Sequence, residues 1–231
     1  MDITPTKHGL RLSQHGVVIS ELRTSTGPTD SVFDLLAALI AVLSPAGRVG
    51  VLGFAGGGMM APLRGLGVET VIDSVDLDRA GYDLFGQHCQ ECARQVNWEQ
   101  ADAVDWLRRQ TADFNLLVDD LSVPRDGDVF KPDISWSVLP ELIRARLRPD
   151  GFAVFNLMLS PGDSWREALP KVTRHFKAAR LVHLEEFENR ILLAGNKLPT
   201  ARALGVSLRR ELRRLRSRQA SRIQVRHILP A

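Results

Sequence analysis

The chain has 231 residues, of which 44% are apolar and 25% are charged, and its formal net charge is +3. These values are ordinary for a soluble globular protein, and no repeat or low-complexity stretch interrupts the sequence. The start of the chain lacks the basic region and apolar core of a secretory signal, and the longest apolar run, residues 35–43, is too short to cross a bilayer. We therefore expect a cytoplasmic protein without a transmembrane segment.

The first predicted elements are a hairpin and a helix. Short apolar stretches on either side of residues 13–16 predict a small β-hairpin, so residues 1–28 are expected to form a short N-terminal segment. Thr29 or Asp30 can cap a helix that begins at Val32 and ends before the Ser-Pro-Ala-Gly sequence that follows it. The main domain is therefore expected to begin at residue 29.

Residues 47–78 predict a βαβ unit that binds a nucleoside. An apolar strand leads into the turn Gly53-Phe54-Ala55-Gly56-Gly57-Gly58, a short helix follows, and a second strand ends at Asp76. Small residues let the backbone approach a ligand, and an acid at the tip of the next strand can accept hydrogen bonds from both ribose hydroxyls. The unit predicts an adenosine-type ligand, and the turn alone fits either a dinucleotide site or an S-adenosylmethionine site.

Two further predicted strands also end at acids. Residues 95–100 alternate between polar and apolar types and precede Asp102, which can reach an adenine amino group. An apolar fourth strand from residue 114 ends at Asp119 and Asp120. In an open parallel sheet the carboxyl ends of the strands border one crevice, so these acids are expected to lie at one ligand site. The alternative for each acid is a helix cap or a turn.

The remaining elements complete an α/β pattern. A loop rich in Pro, Gly and Asp at residues 124–132 follows the fourth strand, where a substrate lid would be placed. The later predicted elements are helices over residues 136–147 and 164–176, a strand over 151–157, and a hairpin of residues 179–184 and 190–194. Together they predict a Rossmann-like sheet of seven strands, and the closing hairpin favours the S-adenosylmethionine type over a strictly alternating dinucleotide fold.

Charge is distributed unevenly along the chain. Residues 1–198 carry a balance of −5, whereas residues 199–231 contain nine arginines and one glutamate, a balance of +8. In this basic segment leucines recur at positions 204, 208, 212 and 215, which is one face of a helix, and arginines occupy the other faces. We expect an Arg-rich C-terminal helix and tail at residues 199–231, after a main domain at residues 29–198. Its leucines can dock on that domain or on a second subunit, and its arginines suit RNA, an acidic protein or an anionic membrane.

The two cysteines do not predict a metal site. Cys89 and Cys92 form a Cys-x-x-Cys pair within a helical stretch, and the chain has no second pair to complete a zinc site. Two reduced thiols on one helix are the favoured interpretation.

Five stretches, taken in order, resemble the motifs of the polyamine aminopropyltransferases, the spermidine and spermine synthases, which share the class I methyltransferase fold. They are residues 52–58, 75–78, 102–103, 118–124 and 147–152, and the likeness covers residues 30–195. It implies S-adenosylmethionine or its decarboxylated form as the cofactor, and a homodimer. It also implies that Asp120 is the catalytic acid. The implied cofactor-binding residues are Gly53, Ala55 and Gly57 at the methionine part, Asp76 at the ribose, Asp102 at the adenine amino group, and with them Phe54, Gly56, Leu77, Ala103 and Asp120.

The sequence differs from the family's pattern at positions that bind the amine acceptor in the family. The family's Asp-Ser-Ser-Asp-Pro is Asp120-Leu121-Ser122-Val123-Pro124 here, so Val123 replaces the second acid. Phe33-Asp34-Leu35 stands where the family has Tyr-Gln-Glu, and the acid of the family's glycine loop is missing. A polyamine is cationic, and each lost carboxylate removes a charge-assisted contact of about 1.5–3 kcal/mol. The sequence thus predicts cofactor binding more firmly than polyamine synthesis.

Four functions remain open at this point. The first is a transferase that uses either cofactor on an unknown small-molecule acceptor, with methyl transfer slightly favoured. The second is a true aminopropyltransferase in which Asp126, Asp128 or Asp34 replaces the missing acid. The third is a non-catalytic adenosine-ligand module whose arginines recruit RNA or protein, and the fourth is a nicotinamide enzyme.

Overall fold

The computed structural model describes residues 2–93, 95–111, 113–125 and 127–229. The strands are β1 (Asp2–Thr6), β2 (Gly9–Gln14), β3 (Val17–Arg23), β4 (Val49–Leu52), β5 (Ile72–Asp76), β6 (Val96–Gln100), β7 (Phe114–Asp119), β8 (Val123–Arg125), β9 (Asp128–Phe130), β10 (Leu147–Leu157), β11 (Ala178–Leu184), β12 (Arg190–Gly195) and β13 (Ile223–Ile228). The helices are α1 (Val32–Leu43), α2 (Met60–Gly65), α3 (Ala80–His88), α4 (Gln90–Ala93), α5 (Ala103–Arg109), α6 (Leu139–Arg146), α7 (Trp165–Thr173) and α8 (Ala201–Leu215).

The central sheet has eight strands, in the order β13-β11-β12-β10-β7-β4-β5-β6. The five strands from β10 to β6 are parallel, and β12, β11 and β13 pair in antiparallel fashion. The prediction of seven strands was therefore wrong by one. The added strand β13 buries Ile223 and exposes Gln224 and Arg226, a two-residue alternation that sequence analysis had assigned to the basic C-terminal helix.

Helices cover both faces of the sheet. On one face α1, α2, α3, α4 and α8 bury a cluster that includes Leu39, Leu63 and Phe85. On the other face α5, α6 and α7 bury a second cluster with Trp106 and Ile143. The central strands β4 and β7 are buried almost throughout, as strands covered on both faces must be, whereas the edge strand β6 is largely exposed. None of the described helices is both long and apolar enough to span a membrane.

The N-terminal segment is a three-stranded antiparallel sheet rather than the expected hairpin. The predicted hairpin is present as β2 and β3, which turn at His15 and Gly16, and β1 adds a third strand along β2. Leu12 of β2 is fully buried and lies against the glycine-rich turn, where a Cβ at Gly56 would be 2.3 Å from its Cδ1. This small sheet therefore covers one side of the predicted ligand loop.

Helix α1 is capped by Ser31, not by Thr29 or Asp30. The Ser31 hydroxyl accepts a hydrogen bond from the Phe33 N–H (3.3 Å), and its backbone has the extended conformation of an N-cap. Asp30 has a φ of +57°, which is incompatible with that geometry. The side chain of Asp34 turns back and accepts hydrogen bonds from the N–H groups of Thr29 (2.7 Å) and Asp30 (2.9 Å).

The basic segment after residue 198 is not simply an Arg-rich terminal helix. Helix α8 carries five of its nine arginines, and the chain then continues through a 3-10 turn, Arg218–Ser221, into β13. The leucine face of α8 is buried in the cluster under α1. Several arginines pair within the chain: Arg210 and Arg214 with Glu211, Arg218 with Asp30, and Arg222 with Glu186.

Candidate functional site

The glycine-rich turn lies between the carboxyl ends of β4 and β7. Gly53 has a φ of +86°, and a Cβ there would lie 2.9 Å from the backbone of Asp120. The close approach of the two strand ends therefore requires glycine at this position. Ala55 also has a positive φ, +44°, and Gly57 has a φ of +68°, so the turn is tightly coiled.

Asp76 holds this turn from the neighbouring strand end. Its Oδ2 accepts hydrogen bonds from the N–H groups of Phe54 (2.8 Å) and Ala55 (2.7 Å). Its Oδ1 accepts a longer bond from the Asp78 N–H (3.3 Å). Asp76 thus fixes the turn with Oδ2, and this longer bond is the one contact of Oδ1 among the described residues.

The residues expected at the adenine lie beyond Asp76, where β5 and β6 end. Leu77 exposes 68% of its surface, and its carbonyl accepts a bond from the Gln100 side chain (3.0 Å). Asp102 is exposed and caps α5, because its Oδ1 accepts bonds from the N–H groups of Val104 (2.9 Å) and Asp105 (3.2 Å). Its Oδ2 has no such bond among the described residues. The capping role weighed for this acid is therefore real and uses one of its two oxygens.

A cavity of about 10 Å³ lies between the turn and α1, and Gly57 and Asp120 both border it. It is small because aromatic rings fill the space above the glycines. A Cβ at Gly57 would be 2.7 Å from the Phe54 ring, and one at Gly58 would be 2.6 Å from the Phe33 ring. Phe54 itself packs edge-to-face on Phe85, with 5.2 Å between ring centroids. The cavity holds one water at most, whereas ligand pockets are typically about 300–1,000 Å³.

Asp120 lies at this cavity with one oxygen held by a chain of amides. Its Oδ1 accepts a hydrogen bond from Asn156 Nδ2 (2.7 Å), and Asn156 Oδ1 in turn accepts one from Asn189 Nδ2 (2.8 Å). Burial raises the pKa of Asp120 from its usual 3.8 to about 6, and the bond from Asn156 and the charge of Lys131 oppose that rise. The residue as a whole is half-buried, so it is not enclosed on all sides.

Asp119 does not face the ligand side, although it precedes Asp120. It is fully buried, and its Oδ1 accepts a hydrogen bond from the Nζ of Lys131 (2.8 Å). The same ammonium donates to the carbonyls of Asp119 (3.2 Å) and Leu121 (2.9 Å), the residues on either side of Asp120. Lys131 follows the short hairpin β8–β9, which replaces most of the predicted loop and touches β3.

The other candidate acids stand away from the cavity. Asp34 is fully buried near the start of α1, where it accepts bonds from Thr29 and Asp30. Asp128 is exposed at the hairpin, and Asp126 lies outside the described residues. Val123 is 47% exposed on β8.

Sequence analysis missed Lys131, Asn156 and Asn189. Asn156 had a signal, because it is the one polar residue in the apolar run of residues 152–157. Lys131 and Asn189 had none, since their neighbours in sequence are loop residues and their partners are distant.

Comparison with known proteins gives structural matches only. No protein-family model and no curated sequence matches the chain. A probable spermidine synthase from Corynebacterium glutamicum superposes with a TM-score of 0.73 over 98% of this chain and 86% of the other, at 16% identity. Human methyltransferase-like protein 13 in complex with SAH gives 0.60 over 80% and 90%, at 18% identity. A spermidine synthase in complex with the transition-state analogue AdoDATO gives 0.57 over 74% and 62%, at 14% identity. This chain therefore has a class I methyltransferase fold of the spermidine synthase-like kind.

Proposed function

We propose that this protein is a transferase that binds S-adenosylmethionine across the carboxyl ends of β4, β5 and β7 and transfers its methyl group to a small-molecule acceptor. The observation that carries the proposal is the meeting of Asp120 and the glycine-rich turn at one cavity, with Asp76 holding the turn from the next strand end. In open α/β sheets this edge is where ligands bind.

The nucleoside would be held along a line from Asp120 to Asp102. Asp76 Oδ1 would accept from the ribose hydroxyls, and Asp102 Oδ2 from the adenine amino group. The exposed side chain of Leu77 and the buried Ala103 would contact the adenine ring. The methionine part of the ligand would contact the backbone of the glycine-rich turn at Gly53, Ala55, Gly56 and Gly57. Because the present cavity holds one water, Phe54 and Phe33 must turn away as the ligand enters.

Asp120 would serve as the acceptor's anchor and proton acceptor. A sulfonium cofactor supplies an electrophilic methyl carbon and leaves as a neutral thioether, so the protein's task is mostly alignment for in-line attack. Asn156 fixes Oδ1 of Asp120, which leaves Oδ2 to accept the proton that the acceptor's nucleophilic atom loses. Since the pKa of Asp120 is about 6, the carboxylate is ionised at neutral pH and can take that role.

Methyl transfer is preferred over aminopropyl transfer because the described surroundings of the cavity offer a single carboxylate. The decarboxylated cofactor carries a free amine, and a polyamine acceptor carries at least two. Asp120 is the only acid among the described residues that border the cavity, and Val123 stands at the position of the family's second acid.

The test is calorimetric titration with S-adenosylmethionine, its decarboxylated form, 5′-methylthioadenosine and NAD. We expect S-adenosylmethionine to bind most tightly, Asp76→Asn to weaken it by about tenfold or more, and Asp120→Asn to leave binding largely unchanged while turnover is lost. Asp73→Asn, on the same strand, is the matched control and should change neither. Preference for NAD, or binding to none of the four, would contradict the proposal.

A second candidate is a non-catalytic adenosine-ligand module that recruits an anionic partner. The water-sized cavity favours it, and so does the exposure of Arg202, Arg213 and Arg216, which have no carboxylate partner among the described residues. Deleting the basic segment would strip the leucines of α8 from α1, so a triple Arg→Gln variant at these positions is the cleaner test. Loss of RNA or acidic-peptide binding with unchanged stability would support this candidate over the transferase.

A further inference from the structure

We propose that the acceptor is uncharged where it meets Asp120, because Lys131 already supplies an ammonium group to this strand end. The inference rests on the transferase function proposed above and adds the chemical class of its acceptor: a neutral hydroxyl or similar nucleophile on an apolar body, and not a polyamine.

Lys131 places an ammonium group against the turn that carries Asp120. Its side chain is 1% exposed, and its Nζ makes three hydrogen bonds to oxygens of the strand-end turn. One bond goes to the carboxylate of Asp119, and two go to the carbonyls that flank Asp120. These contacts place a buried positive charge beside Asp120, and they neutralise the carboxylate of Asp119 from within the chain.

The remaining negative charge at the cavity is small. Asp119 is neutralised by Lys131, and Asp120 is the one carboxylate among the described residues that border the cavity. One of its oxygens is held by Asn156. A diamine that bound beside Asp120 would lose its hydration and would be repelled by the buried charge of Lys131. A single carboxylate oxygen of Asp120 would have to offset both costs.

The other residues at the cavity fit an apolar acceptor. The described side chains that border it, apart from Asp120, are those of Phe33, Val51, Phe54, Met59, Met60 and Ile72. Such a lining favours burial of apolar surface and offers no second polar group to orient a charged chain. One carboxylate oxygen is enough to accept a proton from a hydroxyl.

The experiment is titration with putrescine at about pH 8, where Asp120 is ionised, with and without saturating 5′-methylthioadenosine. We expect a Kd above about 1 mM for the native protein. Lys131→Met should bind putrescine about tenfold more tightly, because the internal cation is gone. Lys177→Met removes the same charge from an exposed position and should leave the affinity unchanged.

A Kd below about 1 mM for the native protein, or no gain in Lys131→Met, would overturn the inference. If that variant does not fold, Asp119→Asn/Lys131→Gln removes both charges and leaves two amide groups that can hydrogen-bond to each other. The charge of Lys131 shifts the pKa of Asp120 more than the charge of Asp119 does. Putrescine should therefore bind this double variant about threefold more tightly than the native protein. An unchanged affinity would overturn the inference. Failure of 5′-methylthioadenosine to bind would instead contradict the transferase function. The putrescine titration without 5′-methylthioadenosine would still test whether the charge of Lys131 weakens putrescine binding.

Discussion

The proposed ligand site has two ends, a proposed nucleoside end and a proposed transfer end, and they use aspartate in opposite ways. At the nucleoside end, Asp76 and Asp102 keep contact with solvent and accept hydrogen bonds from backbone N–H groups. At the transfer end, Asp119 is fully buried and burial raises the pKa of Asp120, and the side chains of Lys131 and Asn156 hold the two carboxylates. An exposed carboxylate is stabilised by water and needs few partners, whereas a withdrawn one requires a charged or amide side chain. The nucleoside end is therefore built from local sequence, and the transfer end from distant residues.

The largest effect should come from breaking the buried pair at the transfer end. Lys131→Met leaves Asp119 buried without its counter-charge, and we expect it to lower the free energy of unfolding by about 3–5 kcal/mol. Urea denaturation measures this loss. The pair variant Asp119→Asn/Lys131→Gln is the control and should lose much less, because no lone charge remains. A loss of less than about 1 kcal/mol in Lys131→Met would show that the Asp119–Lys131 pair is solvated, and it would contradict the difference drawn between the two ends.

An intermediate effect is expected at the nucleoside end. A Cβ at Gly81 would lie 2.2 Å from the carbonyl oxygen of Ala55, so Gly81→Ala must push the glycine-rich turn away from α3. We expect a loss of about 1–3 kcal/mol in stability and weaker binding of S-adenosylmethionine. Gly86→Ala on the same helix meets nothing within 4 Å and should instead stabilise by about 0.5–1 kcal/mol. Equal stability of the two variants would contradict the close contact.

The smallest effect concerns the pH dependence of stability at Asp120. Its pKa is about 6 in the folded protein and 3.8 ordinarily, so between these values the folded chain binds more protons than the unfolded one. Native stability should therefore fall as pH rises from about 4 to 6 and stay reduced above that window. Asp120→Asn should be about 1–2 kcal/mol more stable than the native protein near pH 8, allowing for the partial exposure of the group, and equal to it near pH 4.

Urea denaturation of the native protein and of Asp120→Asn between about pH 4 and pH 8 measures this difference in stability. The amide introduced by Asp120→Asn keeps an oxygen that can accept the hydrogen bond from Asn156, so loss of that bond does not confuse the result. Parallel curves at all pH values would show that Asp120 is as well solvated as Asp102 and would remove the difference between the two ends.

The sequence predicted the geometry of the glycine-rich turn and Asp76 well because its signals are local. Glycines at a strand end, an acid after the next strand and the strands themselves lie within about thirty residues, and the class of fold follows from them. The structure brings Gly53, Asp76 and Asp120 to one edge of the sheet as expected.

The transfer end was predicted poorly, because its partners come from separate segments. Asp120 meets Asn156 from β10, and Asn156 meets Asn189 from the turn before β12. The eighth strand was missed for a related reason. The arginines of the basic segment suggested one helix, although Ile223, Val225 and their polar neighbours alternate as a strand does.

The bonds between Asp30 and the end of the chain have a consequence for how the protein is made. Asp30 accepts hydrogen bonds from the Arg218 N–H and from the Gln219 side chain, both 2.8 Å, across nearly the whole sequence. Asp30 lies just before Ser31, the N-cap of α1, and the ring of Phe33 in the first turn of α1 borders the cavity. During synthesis the glycine-rich turn leaves the ribosome long before these residues do. The segment before α1, which leads to Phe33 at the cavity, can therefore take its final form only when residue 219 has been made.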